Sequence, residues 1–308
     1  MHSHDHNHGH HGHHHPPHDF RNISVSFVIA VVANLLFTGI EAVYAVVANS
    51  ASLLADAGHN LSDVLGLLLA WGAAFLATRA SSQQFSYGFR RTTILAAIIN
   101  AVILILAALY IAYESLEKLL NPTEISEVAI MVVAGIGIAV NAGSALLFRR
   151  SSKTDLNMRG AYLHLAYDAL ISVGVVISAA VMYFTGWLWL DGAVGLMIVL
   201  VIALGTWGLL KDSINLILDG VPQHIDRQQV HDYLAEIEGV SQVHDLHIWA
   251  LSTNENCLTA HLVMPDNTLW ESEYGYAEIG NQLKARFEIH HVTLQVEKDF
   301  ECATQDCD

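Results

Sequence analysis

The chain has 308 residues, of which 53% are hydrophobic and only 14% are charged, whereas about 25% of the residues in soluble domains are charged. This balance argues against a soluble protein and indicates a lipid bilayer. The formal net charge is −16, and most of it lies in residues 213–308, where four basic residues face 17 acidic ones for a balance of −13. So acidic a segment excludes nucleic acid as a natural partner and suits a domain that attracts cations.

Residues 1–20 hold ten of the 19 histidines and show no apolar periodicity, so we expect a disordered cytoplasmic tail. Two interpretations are open, a metal-collecting tail or an affinity tag. The Asp, Asn, Gly and Ser residues between the histidines favour a native tail. We expect no cleaved signal peptide, because a His tract rather than a basic segment precedes the first apolar run, which is itself too long.

Six apolar runs follow, each close to the roughly 20 residues that a membrane-spanning helix needs. They predict a six-helix transmembrane domain over residues 21–211, with helices at Ile23–Val47, Ser52–Ala77, Thr93–Tyr113, Val128–Phe148, Ala161–Phe184 and Leu188–Leu210.

Basic residues predict the orientation of these helices. Eight Lys and Arg residues flank the gaps after helices two, four and six, and only Lys118 lies in the gaps on the other side. Because basic residues collect on the cytoplasmic side, both termini are predicted to be cytoplasmic.

A different pattern follows Lys211. Residues 212–308 are predicted to form a cytoplasmic α+β domain of the ferredoxin-like kind, with helices on one face of the sheet. Its elements have the order α-β-β-α-β, at Ile225–Ile237, Val240–Leu251, Cys257–Met264, Leu269–Phe287 and His291–Val296.

Two H-x-x-x-D units lie inside the apolar runs, His59 with Asp63 and His164 with Asp168. The spacing puts both side chains of each unit on one helix face. A lone membrane histidine can simply bond a neighbouring helix, but two repeated units with carboxylates are costly in hydrocarbon without a cation. No Lys or Arg lies inside the six runs. Two imidazoles and two carboxylates form a ligand set suited to tetrahedral Zn²⁺.

Three further acidic residues lie in or near these runs. Asp56, close to a helix start, is interpreted as a capping or approach-side residue. Glu41 is expected to hydrogen-bond a neighbouring helix. Asp191, also near a helix start, is expected to complement that helix's dipole.

Several segments together resemble the cation diffusion facilitator family, and its bacterial zinc-exporting branch in particular. They are LLADAGHNLSD, HLAYD, YGFRRTTILAAIINA, LLKDSINLILDGVP, VHDLHIWALS and HHVTLQVE. The resemblance implies a homodimer with one transport site per protomer, built from His59, Asp63, His164 and Asp168, that exchanges cytosolic Zn²⁺ for external H⁺. Some relatives have Asp where this chain has His59, and the softer imidazole favours Zn²⁺ over Mn²⁺.

The same resemblance implies cytosolic zinc ligands near the dimer interface at His244, His261, His290 and Glu297. Cys302 and Cys307 correspond to a cysteine pair of related proteins, although their spacing is C-x₄-C rather than C-x₂-C. The alternative for all six is an ordinary surface or core polar role. Regular strand alternation puts His247 on the face opposite His244, so a structural role is expected for it.

These observations predict a zinc exporter of the inner (plasma) membrane that works by alternating access, with Zn²⁺ as substrate and regulatory ion. Cd²⁺, Co²⁺ or Ni²⁺ can compete, because sites of nitrogen and oxygen ligands bind several of these metals. A membrane metalloenzyme is disfavoured because no H-E-x-x-H unit is present. A non-transporting zinc sensor is disfavoured because it leaves the intramembrane residues unexplained.

Overall fold

The structure is a computed structural model and describes residues 25–149, 156–265 and 275–298. The predicted His-rich tail and the candidate ligands Cys302 and Cys307 lie outside the described residues. The elements, in chain order, are α1 Val25–Val47, α2 Ala51–Ala77, α3 Thr92–Leu120, α4 Glu127–Phe148, α5 Leu156–Thr185, α6 Trp189–Ile217, α7 Arg227–Ala235, β1 Gln242–Ser252, β2 Glu255–Val263, α8 Gly275–Phe287 and β3 Ile289–Glu297.

Helices α1–α6 correspond to the six apolar runs, which confirms the predicted class of a transmembrane helical domain followed by an α+β domain. By length and composition, α2 to α6 are each able to cross a membrane, and α1 contributes the shorter apolar stretch Val32–Val47. Three membrane helices extend well beyond their predicted ends, since α3 and α6 continue to Leu120 and Ile217 and α5 begins at Leu156. Charged residues end the apolar pattern there, but they are good helix formers, so the backbone hydrogen bonding continues.

The chain divides into two compact units, the first formed by residues up to 68 and 100–209, the second by residues 69–99 and 210–308. This division by contacts differs from the functional domains predicted above (1–20, 21–211 and 212–308), which stay predictions. The core of the first unit joins α2, α4, α5 and α6 through the fully buried side chains of Leu53, Ile130 and Met182 and the nearly buried Ile198.

Asp191 at the start of α6 holds the N-terminus of α2. Its buried carboxylate accepts hydrogen bonds from the Ser50 hydroxyl at 2.6 Å, the Ala51 N–H at 2.5 Å, and the Ser52 N–H and hydroxyl at 3.1 and 2.6 Å. The first N–H groups of a helix have no partner within the helix, and an anion there also complements the helix dipole. Asp191 therefore caps α2 from another helix, rather than only its own helix as the sequence suggested.

A glycine lets α6 lie directly on α3. A Cβ atom on Gly192 would lie 2.5 Å from the Ser115 carbonyl oxygen and 2.6 Å from the Leu119 nitrogen, both backbone atoms. Small residues allow close contact of this kind between membrane helices. The contact fixes the end of α6 that carries Asp191, and thereby the start of α2.

The second unit contains a three-stranded sheet in the order β1-β2-β3. Strand β1 pairs antiparallel with β2, which pairs parallel with β3 after the crossover through α8. Helix α7 packs against β1, α8 packs against β3, and their buried residues Leu234 and Leu283 share one apolar cluster with Leu258 and Leu262 of β2. This confirms the predicted α-β-β-α-β order with both helices on one face.

A β-bulge interrupts β1 at Asp245, whose φ is +51°. His244 pairs with His261, whereas His247 pairs with Thr259, so three steps on β1 correspond to two on β2. The extra residue moves His247 to the face of His244. The predicted opposite placement of His247 is wrong, because it assumed an unbroken alternation.

The contact at Gly192 predicts an unusual response to alanine. Alanine stabilises an exposed helix by about 1 kcal/mol relative to glycine, and Gly205 of the same helix has open space around it. We expect Gly205→Ala to keep or raise the midpoint of thermal unfolding in detergent, and Gly192→Ala to lower it, because the new methyl group meets the α3 backbone. Equal midpoints for the two variants would contradict the close contact.

Candidate metal centre

The residues of the two H-x-x-x-D units meet between α2 and α5. One helical turn separates His59 from Asp63 on α2 and His164 from Asp168 on α5. The two helices turn these faces toward each other, so that the histidine of each helix meets the carboxylate of the other. All four predicted residues of the membrane site are therefore brought together.

The four side chains form a closed ring of alternating histidines and carboxylates. The Nε2 atom of His59 lies 3.2 Å from Asp168 Oδ1 and 3.9 Å from Asp63 Oδ2. The Nε2 atom of His164 lies 3.2 Å from Asp63 Oδ2 and 3.6 Å from Asp168 Oδ2. The imidazole rings are 6.2 Å apart and nearly perpendicular. Each histidine points the same ring nitrogen at both carboxylates, as convergent ligands of one ion require.

The ring has a closed and an open end. The Asp168 side chain is 4% exposed, whereas Asp63 and His164 are 37% and 41% exposed. The open end of the ring is therefore the side of Asp63 and His164. Asp168 lies at the inner end, away from water, where it interacts strongly with a bound charge.

Charge balance decides what this ring holds. No Lys or Arg lies inside the apolar runs of the two helices. Two ionised carboxylates with neutral imidazoles carry two negative charges, which one Zn²⁺ ion or two protons would neutralise. The donor set of two nitrogens and two oxygens is one that Zn²⁺ takes in tetrahedral sites.

A second group of possible ligands lies on the open face of the sheet. Glu297 is 3.0 Å from His244 Nε2 through Oε2, and 3.0 Å from His261 Nδ1 through Oε1. The two imidazole rings are 5.0 Å apart. The donor atoms of these three residues lie within 4.8 Å of one another. Three of the four predicted cytosolic ligands are thus brought together.

The fourth predicted ligand lies elsewhere. His290 lies at the start of β3, where its Nδ1 accepts a hydrogen bond from the Asn256 N–H at 3.4 Å. Glu297 lies at the far end of the same strand. The residue that adjoins His261 is instead Asp245, whose Oδ2 lies 3.4 Å from His261 Nε2. The other oxygen of Asp245, Oδ1, lies 2.9 Å from His247 Nε2, so Asp245 links His247 to this group.

Sequence reasoning missed Asp245 because its position depends on the bulge. One signal was present, since aspartate is depleted in strand interiors but tolerates a left-handed backbone. An aspartate in the middle of VHDLHIW therefore indicated an interruption of the strand.

Cys257, although it lies on β2 with His261, is not suited to bind a metal with this group. It is buried in β2, and burial, with a smaller contribution from Glu255, raises the pKa of its thiol above the usual value. The thiolate is the form that binds metals, so Cys257 acts as a small apolar residue of the sheet.

The connection between α2 and α3, residues 78–91, belongs to the second compact unit, where it is bonded to the sheet and to the residues that follow α6. Arg90 donates to Glu255 and lies 3.2 Å from His291 Nε2. Arg91 donates to Asp219, just after α6, at 2.6 Å. A displacement of the sheet therefore acts directly on the residues that join α2 to α3.

Two family models match the chain. The cation efflux transmembrane domain matches residues 27–218, and the cytoplasmic domain of cation efflux proteins matches residues 222–299.

Curated relatives are similar along nearly the whole chain. A cadmium, cobalt and zinc/H⁺-K⁺ antiporter of Bacillus velezensis is 37% identical over 87% of this chain and 88% of its own length. The metal cation efflux system protein CzcD of Cupriavidus metallidurans is 37% identical, over 96% and 89%. The zinc transporter ZitB of Escherichia coli is 31% identical, over 99% and 95%.

The geometry of the sheet predicts different effects for two histidines that the sequence could not separate. We expect His261→Ala to weaken one class of zinc sites by roughly tenfold or more, the range seen when the surroundings of a metal site are damaged, and His290→Ala to leave it unchanged. Equilibrium dialysis of the full-length protein at low free zinc measures this, and the tail and the membrane site are common to both variants. Equal loss in the two variants would restore His290 to the site.

Proposed function

The chain belongs to the cation efflux family, the cation diffusion facilitators, and on that premise we propose that it carries Zn²⁺ out of the cytosol in exchange for protons. It is a transporter and not an enzyme. The observation that supports the substrate is the closed ring of His59, Asp63, His164 and Asp168, because each histidine lies within 4 Å of both carboxylates and the ring leaves two negative charges to be neutralised.

The exchange follows from the chemistry of the ring. Metal ligands must be deprotonated, so Zn²⁺ and protons compete for the same side chains. At near-neutral cytosolic pH the carboxylates and neutral imidazoles take up Zn²⁺. When the site opens to the more acidic side, protons displace the ion, and the protonated ring returns. Histidine suits this exchange because its ordinary pKa lies close to neutrality.

Several divalent ions fit a ring of this kind. A relative at 37% identity is named for cadmium, cobalt and zinc, and mixed nitrogen and oxygen sites accept several first-row metals. We propose Zn²⁺ as the main substrate, since two imidazoles favour it over harder ions. Cd²⁺, Co²⁺ and Ni²⁺ are proposed as competitors.

The protein is a multi-pass membrane protein. We place it in the inner (plasma) membrane with both termini in the cytoplasm, which the eight-to-one distribution of basic residues supports. The histidine tail, residues 1–20, would then collect zinc on the side from which the ion departs.

A homodimer with a regulatory zinc site completes the proposal. Two copies of the acidic segment, each with a balance of −13, would repel each other. Zinc held by His244, His261 and Glu297 would reduce this repulsion. The bonds of Arg90 and Arg91 offer a route by which a change in the sheet biases α2 and α3. Such a site alters transport only by favouring one state over another.

The first test removes one charge of the ring. We expect Asp168→Asn to reduce zinc flux to background in proteoliposomes with an imposed pH gradient, because one Zn²⁺ then meets a single carboxylate. The control is Asp232→Asn, which removes an exposed carboxylate on α7 and should transport as wild type does. Near-normal flux in Asp168→Asn would refute the assignment of the site.

A second test changes one ligand of the ring from nitrogen to oxygen and keeps the carboxylates of Asp63 and Asp168. His59→Asp gives three carboxylates and one imidazole, a harder ligand set. We expect Mn²⁺ and Cd²⁺ to compete with Zn²⁺ more effectively in the same flux assay. If the order of preference among the metals stays the same, the geometry of the site rather than ligand softness determines the selectivity.

A further inference from the structure

Two more carboxyl groups are buried in the first compact unit. Glu41 of α1 and Asp56 of α2 both have 0% exposure, and neither belongs to the ring of four. Asn60 donates from Nδ2 to Glu41 Oε2 at 2.9 Å, and Ser172 of α5 donates from its hydroxyl to Asp56 Oδ2 at 2.9 Å. The expectation that Glu41 bonds a neighbouring helix is confirmed. Asp56 lies inside α2 and does not cap it, since its partner is on α5.

One oxygen of each group is left over. Glu41 Oε1 and Asp56 Oδ1 are buried, and no donor among the described residues reaches either of them. The two carboxyl groups are, however, within hydrogen-bonding reach of each other. An ionised carboxylate only accepts hydrogen bonds, so a bond between two carboxyl groups requires a proton on one of them.

No Lys or Arg of the described residues acts on this pair. The remaining titratable groups that act on the pair are Asp168 of α5 and His59 of α2. Asp168 adds a further negative charge, and His59 already lies between the two carboxylates of the ring. Two like charges that interact directly in a buried site are not both ionised. We propose that Glu41 and Asp56 share one proton and form a proton-binding site separate from the four residues of the ring.

The pair would also couple to the ring, and this part rests on the proposed function. Asp168 is a member of the ring and acts on the pair, so a positive charge bound at the ring would offset the repulsion between Asp168 and the pair. Zinc binding at the ring should therefore ease release of the shared proton. The pair supplies a proton whose binding opposes that of the metal without occupying a metal ligand.

The shared proton has a direct spectroscopic signature. The purified full-length protein at neutral pH should show the infrared C=O stretch of a protonated carboxyl group. Isotopic labelling of the glutamates or aspartates should shift part of that band in the wild-type protein, without any mutation. Both Glu41→Gln and Asp56→Asn should abolish it. Glu117→Gln is the matched control, because Glu117 is exposed on α3. A band that is absent from the wild type, or that survives both substitutions, overturns the proposal.

Proton release separates the pair from the transport mechanism. On zinc binding, Glu41→Gln should release about one proton fewer per ion than the wild type, because the amide cannot ionise. A retained zinc affinity shows that the variant is folded. If proton release is unchanged, the coupling between the pair and the ring is refuted while the proposed function stands. If the band is present and zinc flux is independent of the pH gradient, the proposed function fails and the pair remains.

Discussion

The cost of burying negative charge in an apolar bundle governs the arrangement of the first compact unit. Five carboxyl groups, those of Glu41, Asp56, Asp63, Asp168 and Asp191, lie inside its apolar runs, which contain no Lys or Arg. They are accommodated in three ways. Asp191 takes four hydrogen bonds at a helix start. Asp63 and Asp168 face two histidines. Glu41 and Asp56 face each other. Only the arrangement with histidines leaves a place where a divalent cation is the natural counter-charge.

The positions of the four side chains of the ring depend on helix contacts that lie away from the ring. Helix α2 carries half of the ring, and its start is held by Asp191 of α6. Gly192, the next residue, brings α6 against the backbone of α3. Ser172, one turn after Asp168 on α5, bonds Asp56 of α2.

In the sheet, a single extra residue changes what the domain can bind. The bulge at Asp245 lets β1 present His244 and His247 on one face, with Asp245 between His247 and His261. A carboxylate that holds one nitrogen of a histidine fixes the tautomer and leaves the other nitrogen for a metal. Asp245 is therefore placed to orient His261 toward Glu297. The bulge thus brings together the side chains that we propose as the zinc site of the acidic domain.

Local patterns in the sequence were sufficient for the helices and strands, the acidic balance of residues 213–308 and the two H-x-x-x-D units. Periodicity and composition are properties of neighbouring residues, so the chain reveals them without its fold. The resemblance to a known family added the pairing of α2 with α5 and the histidines of the sheet. Only the tertiary structure decided that Asp191 caps α2, that Glu41 meets Asp56, and that Asp245 rather than His290 adjoins His261. Each of these depends on contacts between residues far apart in the chain or on a shift of one residue in strand register, and neither leaves a periodic trace in the sequence.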